Sequence, residues 1–480
     1  MQGIVSLVLT ASVCWLGGAS DQQADYRTLM ANGEFAKARE VIESRLLHDG
    51  TVSGPLRVEM QFEIERMERI RKDFTKKRQD VVDFVKEYVP NVDLQDLDRW
   101  EKDRSLECMM IDGEKRYFNN AARNLFRIDK ECLRLWNERH ADEQAKPPAE
   151  GALDLDAHIR AIREETLRQK QAYSEPVQMR IRYTTTVKPD VTPPGEPIRC
   201  WIPFPREIPH RQTDIRLIRT DPADHRLAPD KDLQRMIYFE KSAVKGRPTV
   251  FSAEYEYTNY GVHVDIEPDL VKAVDPQSAL KPYLEQEYPH IVFTDTLREL
   301  SKRLVGTETN PYRVAQILFA WVDENVPWAS AREYSTIPNL PMYAYENRHG
   351  DCGIQTMLFI TLCRMNGIPA RWQSGWEFQP PDDSMHDWGM IYFEPYGWVP
   401  MDVTYGLRKT DEEKLKWFYL SGMDSYRLIF NDAISQPFTP KKDHFRSETV
   451  DSQRGEVEWK GGNLYFDQWD WDMHWDVLKK

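Results

Sequence analysis

Three residues in the C-terminal half of the 480-residue chain have the types and the order that thiol acyl transfer requires: Cys352, His386 and Asp402. In such a reaction a thiolate attacks an acyl carbon, an imidazole takes the thiol proton, and a carboxylate orients the imidazole. Each residue alone has an ordinary structural explanation, as a small buried cysteine, a strand histidine or a turn cap. Their order and surroundings together indicate a triad with Cys352 as nucleophile, His386 as base and Asp402 as the orienting residue.

The element that positions the nucleophile is predicted to be a helix that begins at Cys352. Apolar residues recur after it at helical spacing: Met357, Leu358, Leu362 and Met365. Gly367 suits the left-handed position that ends a helix. Free N–H groups and the helix dipole stabilise a thiolate at a helix N-terminus, so we expect a lowered thiol pKa. Gly350 and Gly353 leave room for a substrate carbonyl, whose oxyanion the Cys352 N–H could bind.

The base and the orienting residue are predicted to lie on neighbouring antiparallel strands. A strand over 370–378 precedes a polar loop, 379–385, which suggests a site mouth open to water. A three-residue turn at 395–397 would place His386 and Asp402 on one face of the sheet. The offset along the strands that this turn implies is too long for a direct contact. The sequence leaves open whether a bulge or a different turn brings the two side chains together.

Four segments, taken in order, resemble the core of the transglutaminase-like superfamily: 348–353, 362–371, 386–388 and 397–402. The segment 320–328 is similar to the entry helix of that family, and the resemblance extends over about 312–404. It implies a papain-like α+β fold and a triad at Cys352, His386 and Asp402, with His386 rather than His349 as the base. Trp328 and Tyr345 are alternatives for an aromatic oxyanion partner. Exported bacterial members often carry a β-sandwich before the core.

The remainder of the chain is long enough for several domains. Apolar and polar residues alternate from Val177 to Val187, and short strand-like runs with turn signals follow, which predicts a β-sandwich. The overall class is therefore α+β. We expect five regions: a signal peptide (1–20), a helical region (21–173), an immunoglobulin-like β-sandwich (174–287), a catalytic core (288–430) and an aromatic-rich tail that packs on the core (431–480).

The N-terminus and the cysteines indicate the compartment. An apolar run that ends in small residues at 17–20 predicts a cleaved signal peptide and export to the periplasm or exterior, although no Lys or Arg precedes the run. Five cysteines would remain, and the odd number suggests a free thiol. Cys108 and Cys132 could form a disulfide. Cys363 lies about 16 Å from Cys352 along an intact helix, too far for a bridge.

Several classes of function are excluded or left open. A formal net charge of -14 without a basic run argues against nucleic acid as a partner. No cluster has metal-ligand spacing, so we predict no cofactor, and no segment beyond the N-terminus is apolar enough to span a membrane. The favoured function is a peptidase or amidase that acts on a protein or peptide. A crosslinking transglutaminase and a protein- or glycan-binding module without turnover remain alternatives, and tail aromatics would suit a glycan or peptidoglycan-linked peptide.

Overall fold

The structure, a computed structural model, describes residues 25–144, 147 and 149–479. The predicted signal peptide at 1–20 lies outside the described residues. The chain forms two compact units, 1–67 with 110–114, and 68–109 with 115–480. In the part of the chain that is described, none of the helices combines the length and the apolar character needed to cross a bilayer.

The N-terminal third is mainly helical. Its helices are Tyr26–Ala31, Phe35–His48, Gly54–Asp73, Arg78–Lys86, Leu94–Lys102, Ala121–Ile128, Lys130–Arg139, Ala141–Gln144 and Leu155–Gln169. The helices are interrupted by two short strands that were not predicted, Cys108–Ile111 and Glu114–Tyr117. Asp112 and Gly113 join them, both with positive φ, as a type I′ turn requires. The Asp-Gly pair is the signal that could have predicted this hairpin.

Two antiparallel sheets follow the helices and enclose an apolar core. The first contains the strands Gly422–Met423, Thr249–His263, Tyr173–Val187 and Trp469–Lys479 in that spatial order, with Gln212–Asp221 also paired to Thr249–His263. The second contains Gly462–Leu464, Glu456–Trp459, Pro197–Pro203, Met236–Ser242 and Arg226–Leu227. The aromatic C-terminal segment thus supplies strands to both sheets, and Gln453 in the same segment donates a hydrogen bond to the carbonyl of His386.

The third sheet carries the candidate chemistry. Its antiparallel strands are, in order, Gly397–Met401, Asp382–Phe393, Ala370–Gln379 and Arg427–Asn431. The helices around it are Asp295–Val305, Pro311–Asn325, Leu340–Asn347, Cys352–Met365, Glu413–Lys416 and Phe418–Ser421, and the 3₁₀ turns are Pro268–Leu270, Lys281–Tyr283 and Tyr334–Thr336. The α+β class is confirmed, as is the strand predicted to begin at Ala370, and the segment 320–328, which resembles an entry helix, contains the end of the helix Pro311–Asn325.

One local prediction is wrong. The segment 379–385 is not an open loop, because the strand Asp382–Phe393 pairs with Ala370–Gln379 up to Asp382 and Gln379. Between the helix Pro311–Asn325 and the nucleophile the chain forms the helix Leu340–Asn347. The Asn339 side chain caps this helix by accepting a hydrogen bond from the Met342 N–H.

Candidate active site

Cys352 is the first residue of a buried helix, as predicted. The side chain of Asp351 caps the helix by accepting a hydrogen bond from the Ile354 N–H, with N and Oδ1 3.1 Å apart. A cavity of about 320 Å³ lies at this end of the helix, and Cys352 is in its lining together with Trp328, Met385, Asp387 and Trp471. The thiol is 8 % exposed, whereas Cys200 and Cys363 are fully buried. Cys352 is therefore open to a small reagent from the cavity.

His386 and Asp402 are in direct contact. The imidazole Nε2 lies 2.8 Å from Oδ2 of Asp402. The offset between the two residues along the strands is two residues shorter than expected. Phe393 pairs with Gly397, so the connection is 394–396 rather than 395–397. Continuing this register places Asp402 opposite Trp388, so it lies diagonally across from His386 on the same face. Side chains reach each other across such a diagonal without a bulge.

Arg427 donates a hydrogen bond to the same oxygen of the Asp402 carboxylate that contacts His386. Its Nη1 lies 3.0 Å from Oδ2 of Asp402, and its Nη2 lies 2.8 Å from Asp424. The backbone N–H of Thr404 donates to the remaining oxygen of Asp402 at 3.2 Å. Burial alone would raise the pKa of Asp402, but His386 and Arg427 lower it below its usual value. Asp402 is therefore an ionised carboxylate in a fully buried position.

Cys352 lies at the edge of the strand that carries His386. Its Sγ donates a hydrogen bond to Oδ2 of Asp387 at 3.5 Å, and the Asp387 N–H bonds to the sulfur. Thr356, one helical turn later, donates to the Asp387 carbonyl at 3.4 Å. Adjacent side chains of a strand point to opposite faces of the sheet. The side chains of His386 and Asp387 therefore lie on opposite faces, on either side of the strand edge near the thiol. Among the described residues the thiol is hydrogen-bonded to Asp387, not to His386.

The expected lowering of the thiol pKa is wrong. Burial, followed by the charges of Asp387 and Asp351, raises the pKa of Cys352 well above its usual value. The helix N-terminus acts in the opposite direction, but Asp351 already occupies it as the cap. Burial and the carboxyl groups around the thiol together outweigh the helix dipole, which favours the thiol over the thiolate at rest.

The other residues that the sequence singled out lie outside the His386–Asp402 pair. His349 is buried against Tyr343, ring edge to ring face, and burial lowers its pKa to about 4. Trp328 is 40 % exposed and lines the cavity at Cys352, whereas Tyr345 does not line it. The five described cysteines are free, so Cys108 and Cys132 form no disulfide.

Asp387, Arg427 and Gln453 also contact this constellation, and none of them was predicted as a site residue. Arg427 had a signal, since it begins the otherwise apolar strand Arg427–Asn431, where an arginine needs a buried partner. Asp387 follows His386 directly but has no pattern that separates it from a solvent-facing strand residue. Gln453 lies 67 residues beyond His386, and no local pattern connects the two.

The surroundings of His386 predict how activity depends on pH. Burial lowers the pKa of His386, but Asp402 and Glu377 raise it by more, so it lies above the usual 6.5. A base must be neutral to act, so we expect kcat/KM to rise with pH through an ionisation above the usual histidine value. In Asp402→Asn the midpoint should move to lower pH, because a charge that raises the pKa is removed. An unchanged or higher midpoint in this variant would contradict the assignment of that ionisation to His386.

The match to a family model agrees with this geometry. Residues 298–403 match the model described as Transglutaminase-like superfamily. The part of the chain that contains the nucleophile helix and the His386–Asp402 pair is thus a transglutaminase-like core. No curated protein sequence matches the chain.

Three solved structures are similar to parts of this chain at low sequence identity. A candidate cysteine protease from Cytophaga hutchinsonii is 17% identical, with a TM-score of 0.44, over 64% of this chain and 93% of that chain. The periplasmic domain of TgpA from Pseudomonas aeruginosa is 14% identical, with a TM-score of 0.24, over 48% of this chain and 88% of that chain. A candidate protease from Parabacteroides distasonis is 8% identical, with a TM-score of 0.19, over 49% of this chain and 47% of that chain.

Proposed function

We propose that this protein is an exported thiol hydrolase that cleaves amide bonds in peptides or proteins, with Cys352, His386 and Asp402 as its catalytic triad. The observation that carries the proposal is the hydrogen bond between His386 and Asp402. His386 lies on the strand whose next residue, Asp387, contacts the thiol of Cys352. Export is supported by the apolar N-terminal run that ends in small residues.

The reaction begins with proton transfer from the Cys352 thiol to His386. The thiolate attacks the carbonyl carbon of the amide, and the Cys352 backbone N–H binds the oxygen that becomes negative. The C–N bond then breaks, the amine leaves with the proton from His386, and a thioester remains on Cys352. Water attacks the thioester while His386 takes its proton. The carbon–sulfur bond breaks, the carboxylic acid leaves, and the sulfur regains the proton as a thiol.

The lining of the cavity favours water over an amine as the second reactant. Trp372, Trp376 and Trp388, which could have enclosed an apolar amine channel, are buried in the core. The cavity has two tryptophans in its lining, Trp328 and Trp471, but most of its other side chains are polar or charged: Arg332, Glu333, Tyr334, Asp351, Asp387, Glu448, Asp451, Gln453 and Arg454. Such a lining admits water, whereas efficient transfer to an amine needs water to be kept out.

The test offers a mixture of glutamine-containing peptides together with a large excess of a labelled primary amine. We expect new carboxylic acids and free amines to form faster than the label is incorporated, and mass spectrometry measures both products. If the label is incorporated much faster than acid forms, the protein is a transferase. If the peptides bind and no product forms with any acceptor, the binding-module alternative is favoured.

Substitutions at the two histidines and at Asp402 assign the roles within the triad. His386→Ala should remove most of the activity, because among the described residues His386 is the base that contacts Asp402. Asp402→Asn should leave more activity than His386→Ala, since the orienting group only improves the proton transfer. His349→Ala is the matched control and should retain activity, measured as initial rates of peptide cleavage. A greater loss in His349→Ala than in His386→Ala would mean that the base is misassigned.

A further inference from the structure

Asp387, which the reaction above does not use, is held against the nucleophile from three sides. Its Oδ2 accepts hydrogen bonds from the Cys352 thiol at 3.5 Å and from Tyr334 Oη at 3.0 Å. Its Oδ1 accepts a bond from Gln453 Nε2 at 2.7 Å. The side chain is 2 % exposed, so these contacts fix its position.

The chain is shaped to allow this approach at Gly353. A Cβ atom at that position would lie 2.6 Å from Oδ2 of Asp387 and 2.1 Å from Oη of Tyr334, both closer than real Cβ contacts. Only glycine next to the nucleophile therefore permits the carboxylate and the phenol to meet at the thiol. The contact is part of the built site rather than a chance orientation of one side chain.

Tyr334 connects Asp387 to a second carboxyl group. Its Oη lies 2.9 Å from Oδ1 of Asp351 and 3.0 Å from Oδ2 of Asp387. A phenol has one hydrogen and can donate to only one of them, so the other contact requires a proton on a carboxyl group. Asp351 is suited to carry it, because burial raises its pKa to about 7.

The acidic groups nearest the thiol are Asp387 and Asp351, of which Asp387 carries the charge when Asp351 is protonated, and Glu377 adds a weaker field. On its far side Asp387 faces Asp451 and Glu448. Burial raises the pKa of Asp387, while a hydrogen bond with Asp451 and the charge of His386 lower it, and burial raises the pKa of Asp451 well above its usual value. Among the described residues, no Lys or Arg forms an ion pair with Asp351, Asp387 or Asp451. Arg332 and Arg454 also line the cavity, but they pair with Glu107 and Glu333 rather than with these aspartates.

We propose that Asp387 is a positioning residue that keeps Cys352 as a thiol in the resting enzyme. Its carboxylate accepts the S–H hydrogen and opposes negative charge on the sulfur until a substrate in the cavity breaks that contact. The S–H proton can then pass to His386 as the carbonyl approaches. The inference rests on the proposed function, since it concerns the reactivity of the proposed nucleophile.

The test measures alkylation of Cys352 by iodoacetamide in the full chain without substrate, from mildly acidic to alkaline pH, with peptide mapping. Asp387→Asn keeps the shape of the side chain and removes the charge. We expect its Cys352 to react about tenfold faster at neutral pH, with the midpoint of the pH profile moved to lower pH. The matched control, Asp382→Asn, changes an exposed aspartate of the same strand and should leave the profile of Cys352 unchanged.

A second variant keeps the inference testable if Asp387→Asn does not fold. Tyr334→Phe removes a hydrogen bond that lowers the pKa of Asp387, so the carboxyl group should keep its proton to higher pH and alkylation of Cys352 at neutral pH should be faster. Equal or slower alkylation in either variant, when it is folded, would overturn the proposal. Because no substrate is present, this result does not depend on whether the protein hydrolyses amides, which the peptide assay tests separately.

Discussion

Cys352→Ser is expected to abolish amide hydrolysis and leave the fold intact. A hydroxyl is close in size to the thiol but far less acidic, and the carboxyl groups around it oppose its ionisation further. Loss of the nucleophile in a triad lowers kcat by at least about 10³-fold. Initial rates of peptide cleavage and the thermal unfolding midpoint measure the two parts of this prediction.

The matched control is Cys108→Ser. Cys108 is half-buried in the lining of a different cavity and makes no contact with the triad. Its replacement should leave the cleavage rate unchanged. A Cys352→Ser variant that is folded and retains more than a tenth of the activity would show that another group performs the attack.

Arg427→Met should cause a large loss of stability. Arg427 is fully buried and lies 3.0 Å from Asp402, 2.8 Å from Asp424 and 3.4 Å from Glu377. Without it these carboxylates lose their shared cation, and breaking a buried ion pair in this way costs about 3–5 kcal/mol. The free energy of unfolding, from urea denaturation of the variant and the parent, measures the effect.

Arg313→Met is the control for the loss of an arginine as such. Arg313 pairs with Asp269 at 2.6 Å, but both side chains are largely exposed, so the loss should stay below about 1 kcal/mol. Equal losses for the two variants would show that Arg427 does not compensate the buried carboxylates. In surviving Arg427→Met protein the orientation of Asp402 is also lost, so peptide cleavage should fall.

The sequence predicted the parts of the site that short segments encode. Cys352 at a helix start and His386 in a strand were predicted from local periodicity, and both positions are confirmed. The contact between His386 and Asp402 was not predicted. A shift of one residue in the position of the turn changes the offset between the two residues along the strands by two residues. Turn register of this kind depends on pairing across the sheet, which local pattern does not determine.

The electrostatics of the thiol were predicted with the wrong sign for a related reason. The helix dipole is a local property and could be inferred from Cys352 and its helix. The opposing carboxyl groups come from three different segments, at Asp351, Asp387 and Glu377. Gln453, which fixes Asp387, comes from the C-terminal segment that also completes the β-sandwich. Only the folded chain brings these groups together.

The most direct test of the central claim is to trap the acyl intermediate. The enzyme is mixed with a peptide that the cleavage assay has shown to be a substrate, quenched in acid within the first turnover, digested and analysed by mass spectrometry. We predict that the peptide containing Cys352 carries the acyl portion of the substrate as a thioester, and that hydroxylamine removes it. Turnover without an adduct on Cys352, or an adduct on another residue, would contradict the assignment of Cys352 as the nucleophile.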